Sequence, residues 1–330
     1  MVSRVLNTGL GVALAVGLGL YLWVNAQVKP VGPGEARVIH IPTGAGTGEI
    51  LTRLEGQGLI RNAFACRVGL ERWHLAGRLQ AGYYELSPTM SAREITERIA
   101  SGKQATVKVT FPEGFTVKQI AERVAEKGLM QADAFLAEAT PATVVGSGFE
   151  VKGDSLEGYL FPATYVFEYG STPEDVIWQM AEGFRARVAV GMADDLRRSK
   201  RSLADIVTIA SLIEREARIG KDRPLISGVI HNRLRKGMRL QVDATVLYAL
   251  GEHKGRVTYE DLKVDSPFNT YRHKGLPPHP ICNPGEASIR AALRPAKTEY
   301  LFYVARPDGS HVFTRTYAEH QQAIRAIRGG

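Results

Sequence analysis

The N-terminal segment restricts what the rest of the chain can fold into. Residues 5–28 carry no charged side chain and are nearly all apolar. Roughly 20 apolar residues in a helix, at about 1.5 Å per residue, cross the hydrocarbon core of a bilayer. Tyr21 and Trp23 stand where an interfacial aromatic belt is expected. The segment therefore predicts a single membrane-spanning helix, with residues 1–28 forming a cytoplasmic tip and an anchor.

A cleaved signal peptide is the alternative for this segment. Val24-Asn25-Ala26 has the small-residue character of a cleavage site. The apolar run is longer than the roughly 7–15 residues usual in a signal peptide, which favours the anchor. Both interpretations place the remaining chain outside the cytoplasm. Lys29–Glu35 follows with two prolines and two glycines, so we predict a linker over 29–36.

Composition limits the class of function. The chain has 330 residues, of which 44% are hydrophobic and 23% are charged, as in folded domains. Its net charge of +8 is spread along the sequence, so we expect no nucleic-acid partner. Two cysteines, Cys66 and Cys282, exclude a disulfide-dense scaffold and leave their pairing open. No metal-binding motif is present, and we predict neither a metal nor a cofactor.

An internal repeat follows the linker. Each copy has a β-like run, over Arg37–Ile41 and Thr106–Phe111, then a turn and an apolar stripe at helical spacing. Ile41-Pro42-Thr43-Gly44 of the first copy matches Phe111-Pro112-Glu113-Gly114 of the second. We predict two strand–turn–helix modules within residues 37–149, similar to the LysM units that bind glycans. A duplicated unit without a binding role is the alternative.

A helix between the two copies is predicted from its first residues. Ser91 precedes an apolar stripe within Met90–Ile99, and Glu94 stands three residues after it. A serine and a glutamate at this spacing form a capping box, in which each side chain binds a backbone N–H of the other residue. The helix is therefore expected to begin directly after Ser91.

Two glutamates end the most regular helix of the sequence. Leu203–Ala217 carries an apolar stripe that should face a core, and Glu214 and Glu216 lie at its end. At about 100° per residue they point roughly 200° apart, so they cannot act as a close carboxylate pair. A glutamate beside an apolar stripe suits a general acid, because poor solvation raises the pKa of its carboxyl. A salt-linked, solvated helix end is the alternative, and the helical wheel does not choose between the two residues.

Several ordered motifs surround this helix end. They are Ala81–Tyr84, Leu156–Pro162, Ala210–Ala217, Gly228–Leu234, Gly237–Thr245, Ser266–Tyr271, Gly275–Pro278 and Asn283–Gly285. In their order and spacing the chain resembles the endolytic murein transglycosylase (YceG-like) family over essentially its whole length. Phe268 replaces a usual tyrosine, and His279 replaces a usual glycine, which would alter the rim of a cleft without touching the reaction.

The resemblance implies a lyase that acts in cell-wall biogenesis. Members are single-pass proteins of the cell inner membrane whose periplasmic part cuts nascent peptidoglycan strands internally, which terminates strand elongation. One glutamate protonates the oxygen between N-acetylmuramic acid and N-acetylglucosamine, and its conjugate base then takes the proton of the muramyl 6-hydroxyl. The product carries a 1,6-anhydro end, and no second carboxylate is required because no water enters. Related lytic transglycosylases end their catalytic helix in Glu-Ser, so an overlay with Glu216-Ala217 selects Glu216 as the acid, with Glu214 as the alternative.

Polar residues downstream are the candidate substrate-binding groups. Gln241 and Asp243 alternate along a short strand or loop, so both side chains can point the same way. Asn269, Thr270 and Tyr271 lie in a turn-rich segment, where amide, hydroxyl and ring suit a sugar. Turn formation is the alternative for each of these three. Asp243 is also a candidate for stabilising an oxocarbenium-like transition state.

The sequence as a whole predicts an α+β fold. An anchor and LysM-like modules precede a larger mixed α+β catalytic domain over 150–330. Expected partners are peptidoglycan glycan strands, the membrane through residues 5–28, and peptidoglycan synthases as candidates. A non-catalytic, membrane-anchored peptidoglycan-binding or divisome scaffold and a hydrolase that uses water are the alternative functions. The predicted elements of the last domain are helices at Pro173–Val190, Leu203–Arg218 and Pro224–Lys236 and strands at Tyr300–Ala305 and His311–Thr314.

Overall fold

A computed structural model describes residues 2–251 and 257–329, with the side chains of 2–11, 13 and 328 left out. The described part mixes helices with short strands, as the α+β prediction requires. The helices are α1 Val2–Gln27, α2 Thr47–Gly56, α3 Ala63–Arg72, α4 Ala92–Ala100, α5 Val117–Glu126, α6 Ala132–Glu138, α7 Pro173–Phe184, α8 Ala193–Ser199, α9 Leu203–Glu216, α10 Arg223–Arg235, α11 Asp243–Leu250, α12 Glu286–Leu293 and α13 Tyr317–Arg328. The strands are β1 Arg37–Ile41, β2 Gly82–Leu86, β3 Thr106–Thr110, β4 Thr164–Glu168, β5 Phe302–Ala305 and β6 His311–Thr314.

The six strands form three two-stranded sheets: β1 with β2, β3 with β4, and β5 with β6. β1 and β2 are antiparallel, with Arg37 opposite Leu86 and Ile41 opposite Gly82. β5 and β6 are also antiparallel, with Phe302 opposite Thr314. Sheets this small are stable only when helices cover them, so side-chain packing holds each sheet in place.

The chain divides into two compact units. The first comprises residues 1–107 and 166–170, and the second comprises 108–165 and 171–330. Residues 108–149, which the sequence assigns to the modules, belong to the second of these units, and the predicted domains themselves stay predictions. The reason for this division is packing, since α5 and α6 contact each other and α6 contacts α7 within the second unit. These contacts join 108–149 to the C-terminal region.

The predicted repeat is present as a strand, a turn and a helix in each copy. Gly44 and Gly114 have φ of 82° and 80°, a left-handed conformation that favours glycine at both turns. The helices α2 and α5 hold equivalent arginines. Arg53 donates to the carbonyl of His40, and Arg123 donates to that of Thr110. The strand–turn–helix prediction is confirmed, whereas the LysM-like character of the modules stays a prediction.

Helix starts agree with the local sequence signals. Ser91 caps α4 in a capping box with Glu94, as predicted. Ser202 caps α9 by accepting from the backbone N–H of Asp205. The predicted helix Pro173–Val190 is α-helical only to Phe184, and a π-helical segment follows it.

The segment 29–36 is held against the first unit. The backbone N–H groups of Val31 and Gly32 donate to the carbonyl of Pro88 at 3.0 and 3.2 Å. The guanidinium of Arg61 donates to the carbonyl of Pro30. These bonds fix a segment that its prolines and glycines predicted to be a linker.

Residues 2–27 form helix α1, where the sequence predicts a membrane span. Among the described residues, none of the helices combines the length and the apolar character that crossing a membrane requires.

Both cysteines are free and buried. Cys66 belongs to the apolar core around β1, α2 and α3. Burial raises the pKa of its thiol to about 12. The pairing that the sequence left open is absent from the structure.

Candidate active site

Helix α9 positions the two candidate glutamates. Its residues from Ile206 to Ile213 are buried. The helix packs against α10, α11 and α12 and forms the centre of the core of the second unit. Glu214 and Glu216 lie in its last turn, where the helix leaves the core. A helix end fixed by such packing gives each side chain a defined direction.

Glu216 faces a pocket of about 420 Å³. The β5–β6 hairpin, α10, α13 and the residues before α11 enclose it. Tyr303 of β5 forms a hydrogen bond with the carboxyl of Glu216. The pocket is lined by Glu216, Arg233, Leu240, Gln241, Asp243, Tyr271, Phe302, Tyr303, Ala305, His311, Tyr317, His320 and Gln321.

The carboxyl of Glu216 is suited to hold a proton near neutrality. Its removal from water raises its pKa to about 7, and the negative charge of Asp243 contributes in the same direction. The hydrogen bond from Tyr303 and the charge of Arg215 oppose this shift. A carboxylic acid with this pKa can donate a proton to a leaving group and take one back in the same reaction.

Glu214 has a different environment. It accepts a hydrogen bond from the backbone N–H of Gly285 at 3.0 Å. Its other carboxylate oxygen lies 3.7 Å from the guanidinium of Arg223, and its side chain is only 8% exposed. These contacts connect α9 to the start of α12 and to α10. The alternative candidate is therefore engaged in structural contacts, and it does not line the pocket of Glu216.

Three of the five predicted substrate-binding residues line this pocket: Gln241, Asp243 and Tyr271. The hydroxyl of Tyr271 donates to the carboxylate of Asp243. Gln241 has φ of 54°, an uncommon conformation for a residue with a side chain. Its side-chain oxygen accepts a hydrogen bond from Arg233. This backbone conformation places Gln241 and Asp243 at the pocket together.

The other two predicted residues, Asn269 and Thr270, are buried and do not line the pocket. The amide of Asn269 donates to the carbonyls of Leu262 and Val264, both at 2.9 Å. The hydroxyl of Thr270 accepts from the backbone N–H of Val242 at 3.0 Å. Their side chains satisfy backbone groups of the surrounding loops. The turn-forming alternative thus describes both residues.

Comparison with known proteins assigns the family. The model of the YceG-like family matches residues 39–326. The chain belongs to the YceG-like family. A crystal structure of a YceG-like protein from Listeria monocytogenes superposes with a TM-score of 0.61 and 38% identity, covering 88% of this chain and all of that one.

Two curated relatives of this YceG-like chain carry the name endolytic murein transglycosylase. The one from Bacillus subtilis is 37% identical over 92% of this chain and 89% of its own length. The one from Streptococcus pneumoniae is 29% identical over 92% of this chain and 60% of its own length.

Sequence reasoning missed several residues of the YceG-like pocket. Arg233 donates to the carbonyls of Leu301 and Leu240 at 2.6 and 2.7 Å and thereby holds β5 beside the loop of Gln241. Tyr303 reaches Glu216 from a strand far along the chain. Only the position of Arg233 within the quoted family motifs could have indicated its importance. No local pattern distinguishes Tyr303.

Proposed function

We propose that this protein is an endolytic murein transglycosylase that cleaves peptidoglycan glycan strands. The observation that carries the proposal is Glu216, a single carboxyl with a pKa raised to about 7 at the side of a 420 Å³ pocket. Relatives with this name match nearly the whole chain. Since lytic cleavage needs one proton donor and no activated water, one such carboxyl is sufficient.

The mechanism follows from the protonation of Glu216. Its carboxyl donates a proton to the oxygen that links N-acetylmuramic acid to N-acetylglucosamine, and the bond between that oxygen and the anomeric carbon breaks. The resulting carboxylate then takes the proton of the muramyl 6-hydroxyl, whose oxygen bonds to the anomeric carbon. The strand ends in 1,6-anhydro-N-acetylmuramic acid, and Glu216 is again protonated.

The neighbouring groups support these two steps. Asp243 places a negative charge near the carbon that becomes oxocarbenium-like, so it stabilises the transition state. Tyr303 orients the carboxyl of Glu216 through a hydrogen bond. Burial raises the pKa of Tyr303 and of Tyr271 well above the ordinary value, so both hydroxyls remain donors. Gln241 and Tyr271 contribute polar groups that suit a glycan strand.

The products of digestion test the proposed function. The full-length protein is incubated with isolated glycan strands, and the new ends are identified by mass spectrometry. The expected result is new anhydro ends that arise from cleavage within long strands. Hydrated reducing ends would instead indicate a hydrolase, and the absence of cleavage would indicate a binding scaffold.

The pH dependence of cleavage is expected to follow Glu216. The acid must be protonated, so activity should fall as the pH rises through about 7. Asp243→Asn removes the charge that contributes to this raised pKa, so the fall should move to lower pH. The asparagine can still accept the hydrogen bond from Tyr271. Profiles of kcat/KM against pH measure the shift.

A matched control for this change is Asp265→Asn. Asp265 is an exposed carboxylate that pairs with Arg272 outside the pocket. Its removal should leave the profile unchanged. An unmoved profile for Asp243→Asn would show that this charge does not act on the catalytic proton.

Cellular location and binding modules remain proposals from the sequence. We propose that residues 5–28 attach the protein to the inner membrane and that the remainder is periplasmic. Side chains along α1 such as Val12, Leu14 and Val16 are apolar and exposed, which supports an apolar environment for this helix. The repeated modules would bind peptidoglycan, and synthases would be partners.

A further inference from the structure

The pocket of Glu216 is lined by His311, which pairs with Asp222 and which the reaction above does not use. Nδ1 of His311 lies 2.9 Å from a carboxylate oxygen of Asp222. The backbone N–H of His311 donates to the same oxygen at 2.8 Å. The His311 and Asp222 side chains are only 3% and 5% exposed. One hydrogen bond from the ring and one from the backbone therefore join His311 on β6 to Asp222, which directly precedes α10.

This contact sets which nitrogen of His311 is an acceptor. A carboxylate only accepts hydrogen bonds, so Nδ1 carries the proton that it donates to Asp222. In the neutral ring Nε2 is then an acceptor. Among residues 2–251 and 257–329, no side chain or backbone group forms a hydrogen bond with Nε2.

Three other acceptors of the pocket already have donors from the protein. Glu216 accepts a hydrogen bond from Tyr303, and Asp243 accepts one from Tyr271. Gln241 accepts one from Arg233. His311 lines the same pocket and lies beside the first of these pairs. Its ring meets that of Tyr303 edge-on, with the ring centres 5.6 Å apart.

We propose that Nε2 of His311 accepts a hydrogen bond from an O–H or N–H group of the sugar bound next to Glu216. Asp222 acts as a positioning residue that fixes the ring and its tautomer. This inference rests on the proposed function for the identity of the sugar polymer. It adds a substrate-contacting residue on the β5–β6 hairpin, opposite the residues that precede α11.

Two substitutions separate this role from a structural one. Asparagine at 311 places an amide N–H near the position of Nδ1, so it can keep the bond to Asp222 but cannot reach the position of Nε2. Glutamine at 311 extends an amide oxygen towards the position of Nε2 and gives up the side-chain bond to Asp222. A substrate contact and a structural contact therefore predict opposite orders of activity.

We expect the variant with the lower kcat/KM to be the one with the higher Tm. His311→Asn should lower kcat/KM by about tenfold while Tm stays near that of the wild type, because one hydrogen bond to the substrate is lost. His311→Gln should lower Tm and retain more of kcat/KM. If His311→Asn keeps kcat/KM within about twofold, or if the activity of both variants simply follows Tm, the pair is structural and the proposal is overturned.

A binding measurement keeps this test independent of the reaction. The same two substitutions are made in the Glu216→Gln background, and the Kd for isolated glycan strands is measured with the full chain. The asparagine variant should bind about tenfold more weakly than the glutamine variant. Equal affinities would contradict the contact. If the wild-type protein forms no anhydro products, the proposed function is refuted. The comparison of Kd values would still show whether His311 contacts the glycan strand.

Discussion

Glu216→Gln should reduce the formation of anhydro ends by about 10²–10⁴-fold. Glutamine keeps the shape of the side chain and can still accept a hydrogen bond from Tyr303, but it has no transferable proton. The variant should remain folded, because glutamine is neutral like the protonated carboxyl, the form that burial favours at Glu216. Quantifying anhydro ends by mass spectrometry at equal protein concentration measures the loss.

Glu214→Gln is the matched control, since it makes the same change two residues away on the same helix. Its amide oxygen can still accept from the backbone N–H of Gly285, and only the charge facing Arg223 is lost. Activity should stay within a few-fold of the wild type once Tm is compared. A Glu214→Gln variant without activity beside an active Glu216→Gln would reverse the assignment and retain the one-acid mechanism. Full activity in both would refute that mechanism.

Asn283→Ala should strongly destabilise the second unit. The side-chain oxygen of this buried residue accepts from the backbone N–H groups of Gly158 and Leu160 at 3.0 and 2.9 Å. Its amide donates to the carbonyl of Phe115 at 3.0 Å and to Glu157 at 3.1 Å. Alanine leaves these buried groups without partners, so the free energy of unfolding should fall by about 3 kcal/mol or more. Thermal unfolding should show this as a drop of roughly 6–12 °C in Tm.

Asn62→Ala makes the same substitution where one hydrogen bond is lost. Asn62 caps α3 and accepts from the backbone N–H of Ala65 at 2.9 Å. Loss of such a cap costs about 1 kcal/mol. Because the chain has two compact units, the two variants should be compared through the transition of the unit that each belongs to. Equal losses of unfolding free energy in the two variants would mean that the four hydrogen bonds of Asn283 stabilise the fold no more than the single cap of Asn62 does.

The pKa of Glu216 also has a consequence for stability. A carboxyl whose pKa is raised on folding, here to about 7, favours the folded state while it is protonated. Its contribution is fully present below the ordinary glutamate value and is lost as the pH rises through about 7. The Glu216→Gln variant, which has no charge at any pH, should therefore lose less stability between pH 5 and pH 8 than the wild type does.

Local structure was largely predictable from the sequence. The repeat gave β1 with its observed bounds, and it gave β3 within one residue, because strand alternation, a Pro-Gly turn and an apolar stripe are all local signals. The capping box of α4 was predicted from Ser91 and Glu94 for the same reason. The family motifs likewise led to Gln241, Asp243 and Tyr271, three residues of the pocket.

Packing over long sequence separations decided the rest. Periodicity placed Glu214 and Glu216 on opposite flanks of α9, but it could not say which flank faces a pocket. That depends on α12 covering Glu214 and on the β5–β6 hairpin bringing Tyr303 to Glu216. The sequence left two roles open for Asn269, because an asparagine in a turn can bind either a sugar or a backbone carbonyl, and in the structure its amide donates to the carbonyl of Leu262.

The sequence by itself thus determined the strand–turn–helix repeat, the start of helix α9 and the position of two glutamates at its end. These features depend on residues within a few positions of one another, whose spacing fixes their direction. Only the tertiary structure determined which glutamate faces the pocket, and that His311 lines the same pocket. Burial raises the pKa of Glu216, the charge of Asp243 adds to this shift, and the hydrogen bond from Tyr303 opposes it. No local pattern connects Tyr303 or Asp243 to Glu216.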